Sequence, residues 1–122
     1  MTATQLDLVT IDSPDTDRIA VFWSAVLDLH EVEREDVDRW IVLADRAGVR
    51  RLGIQRGAVR PGSMHLDLAC APASFEAELD RLSGLGAQRL AGPRRESYGS
   101  IVNLADPDGN PFDLCAYPAD PG

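Results

Sequence analysis

Two short stretches of the sequence place polar side chains with catalytic chemistry on predicted strands. In MHLDLAC, the alternation of a β-strand turns the leucines to one face and leaves His65 and Asp67 on the other. In PFDLCA, the same alternation separates Asp113 from its apolar neighbours. An imidazole and a carboxylate can transfer protons to and from a bound molecule. We therefore treat His65 as a candidate base or hydrogen-bond partner and Asp113 as its electrostatic companion, the alternative being a structural histidine.

The composition limits the classes of protein to which the chain can belong. It has 122 residues, enough for one domain with a substantial core, and a net charge of −8 with no lysine. An acidic chain without a basic cluster repels nucleic acid and anionic membranes, so we expect neither as a partner. The N-terminus lacks a signal-peptide pattern, and Cys70 and Cys115 are too few for a zinc quartet or a disulfide scaffold. We expect a cytoplasmic protein.

The first half of the chain predicts one helix among four strands. Apolar residues recur at steps of three and four after Asp15, and either Ser13 or Asp15 can cap the start of this helix. Around the helix, alternating segments separated by charged or glycine-containing turns predict strands. The predicted order is βαβββ, with strands at 5–12, 31–34, 39–44 and 49–55.

The second half repeats this order after a linker rich in Gly, Pro and Arg. Its helix is predicted from Phe75 to Leu85, with Gly84 and Gly86 ending it. The fold class is therefore α+β with two tandem βαβββ modules. The strands of the second half are predicted at 64–70, 87–91, 98–105 and 111–116. We place module 1 at about 5–56, the linker at about 57–63 and module 2 at about 64–117 of a single domain, 1–122.

Two turn-like stretches carry charges that need no catalytic explanation. DPDGN combines residue types that reverse a chain tightly, so Asp106 and Asp108 are assigned to turn formation. AGPRRES places Arg94 and Arg95 on a predicted loop. There they are either a solvated charge pair or a means of attracting an anionic ligand.

Several of these stretches together resemble one protein family. The strand bearing His65, the turn DPDGN and the following acid Asp113 look like the second module of the vicinal oxygen chelate superfamily. LVTIDSPD and FWSAVLDLH are similar to its first module. The superfamily includes glyoxalase I, extradiol dioxygenases and bleomycin-resistance proteins, and the chain resembles its short glyoxalase-like branch. The resemblance implies that the modules form a half-open, eight-stranded cup with flanking helices, usually within a homodimer.

The resemblance also implies a metal site, which this sequence supplies only in part. Family members bind a metal ion through residues of both modules, and His65 and Asp113 match the two positions in the second module. In the first module, the matching positions hold Leu8, which cannot coordinate a metal, and Gln55, which offers one amide oxygen. Two firm ligands and one weak one fall short of a catalytic site for Zn, Fe, Ni or Mn. We therefore favour a cup without tightly bound metal.

These observations lead to one preferred function and two alternatives. We expect a protein that binds a small organic molecule in the cup, where His65 and Asp113 can add metal-free lyase or isomerase chemistry. The first alternative is a metal-dependent lyase, isomerase or dioxygenase whose ion is held by His65, Asp113 and Gln55. The second is a pure interaction module. The residues expected to bind the ligand are Leu8, Trp40, Gln55, Asp67, Tyr98 and Cys115.

Overall fold

The computed structural model describes residues 3, 5–61 and 65–118, and it divides into two compact units. The first unit ends at residue 59 and the second begins at residue 60, inside the predicted linker. Each unit has its own four-stranded sheet and its own α-helix. The α+β class and the duplicated βαβββ order are therefore confirmed, whereas the assignment of the whole chain to a single domain stays a prediction.

The first unit is a mixed sheet accompanied by one helix. Its elements are β1 (Val9–Ser13), α1 (Thr16–Leu27), β2 (His30–Glu35), β3 (Trp40–Ala44) and β4 (Arg50–Arg56). The strands follow the order β1-β4-β3-β2, with β1 parallel to β4 and the other pairs antiparallel. The central strands β3 and β4 bury large apolar side chains, which include Ile41, Val42, Leu43, Leu52 and Ile54.

Helix α1 begins and ends at aspartates. The carboxylate of Asp15 accepts a hydrogen bond from the backbone amide of Arg18 at 3.1 Å, so Asp15 is the cap of the two that the sequence allowed. Asp28 ends the helix in the left-handed conformation, with φ of 56°. The apolar stripe predicted from the periodicity is buried and includes Ile19, Phe22, Trp23 and Val26.

The second unit repeats this architecture, with a short 3₁₀ helix at Pro72–Ser74 before its α-helix. Its other elements are β5 (Leu66–Cys70), α2 (Phe75–Leu85), β6 (Gln88–Glu96), β7 (Gly99–Ala105) and β8 (Pro111–Ala116). The strands follow the order β5-β8-β7-β6, with β5 parallel to β8 and the other pairs antiparallel. Helix α2 contacts β8 and buries Phe75, Leu79 and Leu82. Neither α1 nor α2, the α-helices in the described part of the chain, has the length and apolar character of a membrane-spanning segment.

The structure corrects two local predictions. Arg94 and Arg95 lie within strand β6 and not on a loop. The pairing of β6 with β7 shifts between Ala91 and Arg94, and this irregularity accommodates the Gly–Pro step that looked like a strand end in the sequence. At the end of α2, Gly86 adopts the left-handed conformation with φ of 118°, whereas Gly84 lies inside the helix.

Two strands begin later than the alternation of the sequence predicts. The ladder of β1 starts where Val9 pairs with Leu52, and β5 starts at Leu66. His65 therefore precedes the first residue of β5. Position 64, the predicted start of that strand, and positions 62–63 of the predicted linker lie outside the described residues.

The turn between β7 and β8 is organised by Asp106. Its buried carboxylate accepts hydrogen bonds from the backbone amides of Asp108 (3.0 Å) and Asn110 (2.9 Å) and from the side-chain amide of Asn110 (2.9 Å). Gly109 has φ of 91°, a conformation that glycine adopts without strain. The geometry thus gives Asp106 the turn-forming role that the sequence predicts.

Substituting Asp106 by Ala is expected to lower the free energy of unfolding by about 2 kcal/mol, because the backbone amides of Asp108 and Asn110 lose the buried carboxylate that accepts their hydrogen bonds. Asp106→Asn keeps an acceptor oxygen for the backbone amides and is expected to lose less. Urea unfolding of the two variants beside the wild type measures the difference. Equal stability of wild type and Asp106→Ala would contradict the turn-forming role.

Gly53, on β4, allows the ring of Trp40 to lie against the strand. A Cβ atom at position 53 would overlap Trp40 Cη2 and would lie 2.9 Å from Thr10 Oγ1. The indole is also held at its other end, because Trp40 Nε1 donates a hydrogen bond to Glu33 Oε2 at 2.8 Å. The absence of a side chain at position 53 thus determines where this aromatic ring lies.

Gly53→Ala is expected to displace the Trp40 ring and to destabilise the protein by about 1–3 kcal/mol, the usual cost of inserting atoms into a packed site. Tryptophan fluorescence and thermal unfolding measure the two effects. Gly84→Ala is the matched control, because a Cβ atom there meets nothing within 4 Å and alanine favours a helix. If the two variants behave alike, the proposed contact with Trp40 is wrong.

Candidate active site on the second sheet

The register of the second sheet aligns three polar side chains. Asp67 on β5 is the partner of Asp113 on β8, and Asn103 on β7 is the partner of Asp113 on its other side. Partner residues on adjacent strands project from the same face of a sheet. Phe112 and Leu114, which alternate with Asp113, are buried as predicted. Asp67, Asn103 and Asp113 therefore lie side by side on the face of the sheet opposite to that of Phe112 and Leu114.

His65 approaches both carboxylates through the same ring nitrogen. Its Nε2 lies 3.3 Å from Asp67 Oδ1 and 3.5 Å from Asp113 Oδ2. One ligand-capable atom from each of the three residues lies within 4.8 Å of the others. The structure thus brings the two predicted catalytic residues together and places Asp67, predicted to bind the ligand, beside them.

Asp113 is also held from the opposite side. Asn103 Nδ2 donates a hydrogen bond to Asp113 Oδ1 at 2.6 Å, and Arg94 Nη1 donates one to Asn103 Oδ1 at 2.7 Å. Arg94 Nε donates in turn to Glu96 Oε1 at 2.8 Å. Arg94 therefore orients an amide in the site, a role different from the two that the sequence allowed.

Exposure separates one enclosed carboxylate from two accessible groups. The side chain of Asp113 is 17% exposed, whereas those of His65 and Asp67 are 51% and 63% exposed. A molecule on this face can therefore reach the imidazole directly. Asp113 is largely shielded from solvent and contacts the imidazole from within the sheet face.

Cys115 and two tyrosines extend the site along β8. Cys115 follows Asp113 by two positions and is buried, and both it and Cys70 are free thiols. A hydrogen bond with Cys115 raises the pKa of Tyr117, two positions further on. The exposed rings of Tyr117 and Tyr98 have centroids 6.0 Å apart and an angle of 46°. These rings offer an aromatic surface next to a buried thiol.

The remaining predicted ligand-binding residues belong to the first unit. Leu8 lies directly before β1 and is half-buried, and Gln55 on β4 is exposed and is the partner of Trp40 on β3. The hydrogen bond from Trp40 is the main reason that the pKa of Glu33 is lowered. Within this unit, Gln55 therefore offers an amide beside an aromatic ring of fixed position.

The residues of the second unit fit a divalent cation better than the sequence indicated. Ligand atoms about 2.1 Å from one ion are roughly 3.0–3.4 Å from each other in octahedral or tetrahedral geometry. The separations of 3.3 and 3.5 Å around His65 Nε2 are close to that range, and the ligand atoms of all three residues lie within 4.8 Å of one another. The third donor in this cluster is Asp67, and the predicted ligand Gln55 belongs to the first unit, so its part in a metal site stays a prediction. A histidine and two carboxylates are a suitable donor set for Mn, Fe or Zn.

Sequence reasoning missed two members of the site. Asn103 interrupts an apolar strand, IVNLA, with an amide, and this interruption was the available signal. Tyr117 follows β8, and its position two residues after Cys115 places it in the same alternation. Their places in the site depend on neighbours that are distant in the sequence, which are Arg94 and Asp113 for Asn103 and Tyr98 for Tyr117.

Known proteins share this fold. A glyoxalase/bleomycin resistance protein/dioxygenase family enzyme from Burkholderia phytofirmans PsJN aligns with a TM-score of 0.78 and 16% identity, over 93% of this chain and 99% of that one. The fosfomycin resistance protein FosX from Mesorhizobium loti aligns with a TM-score of 0.72 and 20% identity, over 95% of this chain and 93% of that one.

A mutant of FosX from Listeria monocytogenes, in a complex with Mn(II) and 1S,2S-dihydroxypropylphosphonic acid, aligns with a TM-score of 0.76 and 18% identity, over 96% of this chain and 92% of that one. A search of curated proteins finds no match. The sequence profile of the glyoxalase-like domain matches residues 8–115, most of the chain. The chain therefore belongs to the glyoxalase-like domain family of the vicinal oxygen chelate superfamily.

Proposed function

We propose that the chain binds a small organic molecule on the sheet face that carries His65 and Asp113, and that these residues transfer a proton to or from it. The observation that carries the proposal is the 3.5 Å approach of His65 Nε2 to the enclosed Asp113 Oδ2, with the imidazole half exposed. The complex of a Listeria FosX mutant with Mn(II) and a phosphonic acid supports the binding of a small molecule by this fold, and its Mn(II) bears on the second candidate below.

The two carboxylates determine which imidazole nitrogen acts as the base. A neutral imidazole carries one N–H, and an ionised carboxylate can only accept a hydrogen bond. Two carboxylates beside Nε2 therefore favour the tautomer with its proton on Nε2. Nδ1 then carries the free lone pair and takes the proton from the ligand, while Asp113 stabilises the imidazolium that forms.

The neighbouring side chains favour a particular ligand chemistry. Tyr98 and Tyr117 offer exposed aromatic surface on which a planar group can stack. A neutral histidine removes a proton most readily where the resulting charge is delocalised, as beside a carbonyl group. We therefore favour a compound that combines a planar or aromatic group with a carbonyl, undergoing lyase or isomerase chemistry.

The second candidate function is a divalent-metal-dependent reaction of the same class, and the position of Asp67 favours it. Asp67 Oδ1 lies 3.3 Å from the same His65 nitrogen, which gives three protein ligands for one ion. Such an ion would polarise a bound oxygen atom of the ligand. In this case His65 contributes Nε2 as a ligand and carries its proton on Nδ1, the opposite tautomer to that of the first candidate.

The tautomer of neutral His65 distinguishes the two candidates. Long-range ¹H–¹⁵N NMR at a pH of about 8.5, where imidazoles are ordinarily neutral, is expected to show the proton mainly on Nε2. Asp113→Asn presents an amide in place of one carboxylate and is expected to shift the ratio about fivefold toward Nδ1–H. Because His30 is the other histidine of the chain, His65→Gln assigns the signals. A wild type mainly in the Nδ1–H form would contradict the acid–base proposal.

Mn²⁺ binding, measured by calorimetry and by elemental analysis of purified protein, tests the second candidate. Asp67→Asn and Asp113→Asn are each expected to weaken binding about tenfold or more if the three residues share an ion. Asp80→Asn, which removes an exposed carboxylate from α2, is the charge-matched control and is expected to leave the affinity unchanged. Stoichiometric metal that His65→Ala abolishes would replace the first proposal by the second. No binding at millimolar Mn²⁺ would exclude the second.

A further inference from the structure

A line of hydrogen bonds on the second sheet ends at the carboxylate that faces His65. It runs from Arg94 to Asn103 at 2.7 Å and from Asn103 to Asp113 at 2.6 Å. Asn103 and Asp113 are direct partners in the β7–β8 ladder, so their side chains are neighbours on one face. Arg94 lies on the next strand, opposite Ile101, and it reaches Asn103 from there.

The guanidinium determines which end of the Asn103 amide faces Asp113. An asparagine side chain has an accepting end and a donating end, whereas a guanidinium can only donate. Arg94 therefore draws Asn103 Oδ1 toward itself and turns Nδ2 toward Asp113. The reverse orientation would place an amide oxygen against a carboxylate oxygen, with no proton between them.

Holding one oxygen of Asp113 also places the other. Asp113 Oδ1 accepts the hydrogen bond of Asn103, and Oδ2 is the atom that lies 3.5 Å from His65 Nε2. The two oxygens of a carboxylate rotate together about one bond, so a partner that fixes Oδ1 fixes the direction of Oδ2. The low exposure of Asp113, 17%, leaves little water to replace Asn103 in this role.

We propose that Asn103, oriented by Arg94, is a positioning residue that directs Asp113 Oδ2 toward His65. This inference rests on the proposed function only in treating Oδ2 as the atom that acts on His65. A structural role alone would have Asn103 satisfy a polar group and stabilise the sheet, without influence on the imidazole. The two roles predict different results when Asn103 is substituted. A positioning role changes the ratio of the His65 tautomers, and a purely structural role does not.

The test measures the ratio of the two neutral His65 tautomers by ¹⁵N NMR, with Asp113→Asn defining the ratio in the absence of that carboxylate. Asn103→Leu keeps the volume and removes the donor, and it is expected to move the ratio part of the way toward the Asp113→Asn value, about twofold. Arg94→Met is expected to move it in the same direction. Arg95→Met, which removes the same charge one residue further along β6, is the matched control and is expected to leave the ratio unchanged.

A double variant shows whether Arg94 acts through Asn103. If it does, Arg94→Met has no further effect on the ratio in a chain that already carries Asn103→Leu. Thermal unfolding of every variant establishes that it is folded. An Asn103→Leu variant that is less stable but has the wild-type ratio would overturn the proposal. Failure of the proposed function is recognised separately. In that case the wild type itself has His65 mainly in the Nδ1–H form, whatever the effect of the Asn103 substitution.

Discussion

The candidate site depends on the pairing of β5, β8 and β7 in one register. This register makes Asp113 the direct neighbour of Asp67 on one side and of Asn103 on the other. Because side chains alternate along a strand, a slip of one residue in β8 would turn Asp113 toward the buried layer and bring an apolar side chain to the site. The chemistry proposed for His65 therefore requires the strand pairing that aligns Asp67, Asn103 and Asp113.

Burial and turn chemistry maintain that register. Phe112 and Leu114, the neighbours of Asp113 on β8, are almost completely buried, so a slip would expose them. The β7–β8 connection is held by Asp106, whose carboxylate takes three hydrogen bonds within the turn. A buried acid in the turn thus supports the position of a second acid in the site. The first forms the turn and the second is proposed to act on His65, although the two lie only seven residues apart.

Much of the fold could be predicted from the sequence because local patterns encode it. The period of the apolar residues located both helices, and alternation assigned His65, Asp67 and Asp113 to one face. What could not be predicted depends on pairing between distant segments. Arg94 was expected on a loop because Gly and Pro precede it, and only the irregular β6–β7 pairing shows that the strand continues. Asn103 interrupts an apolar strand in the sequence, but its two partners, Arg94 and Asp113, lie on other strands and could not be predicted for the same reason.

The convergence of an imidazole nitrogen and two carboxylates is the central claim, and a high-resolution crystal structure of the protein measures it most directly. The account predicts His65 Nε2 within about 3.5 Å of both Asp67 and Asp113, with the second oxygen of Asp113 bonded to the amide nitrogen of Asn103. An imidazole turned away from both carboxylates, or an Asp113 side chain in the buried layer, would contradict it.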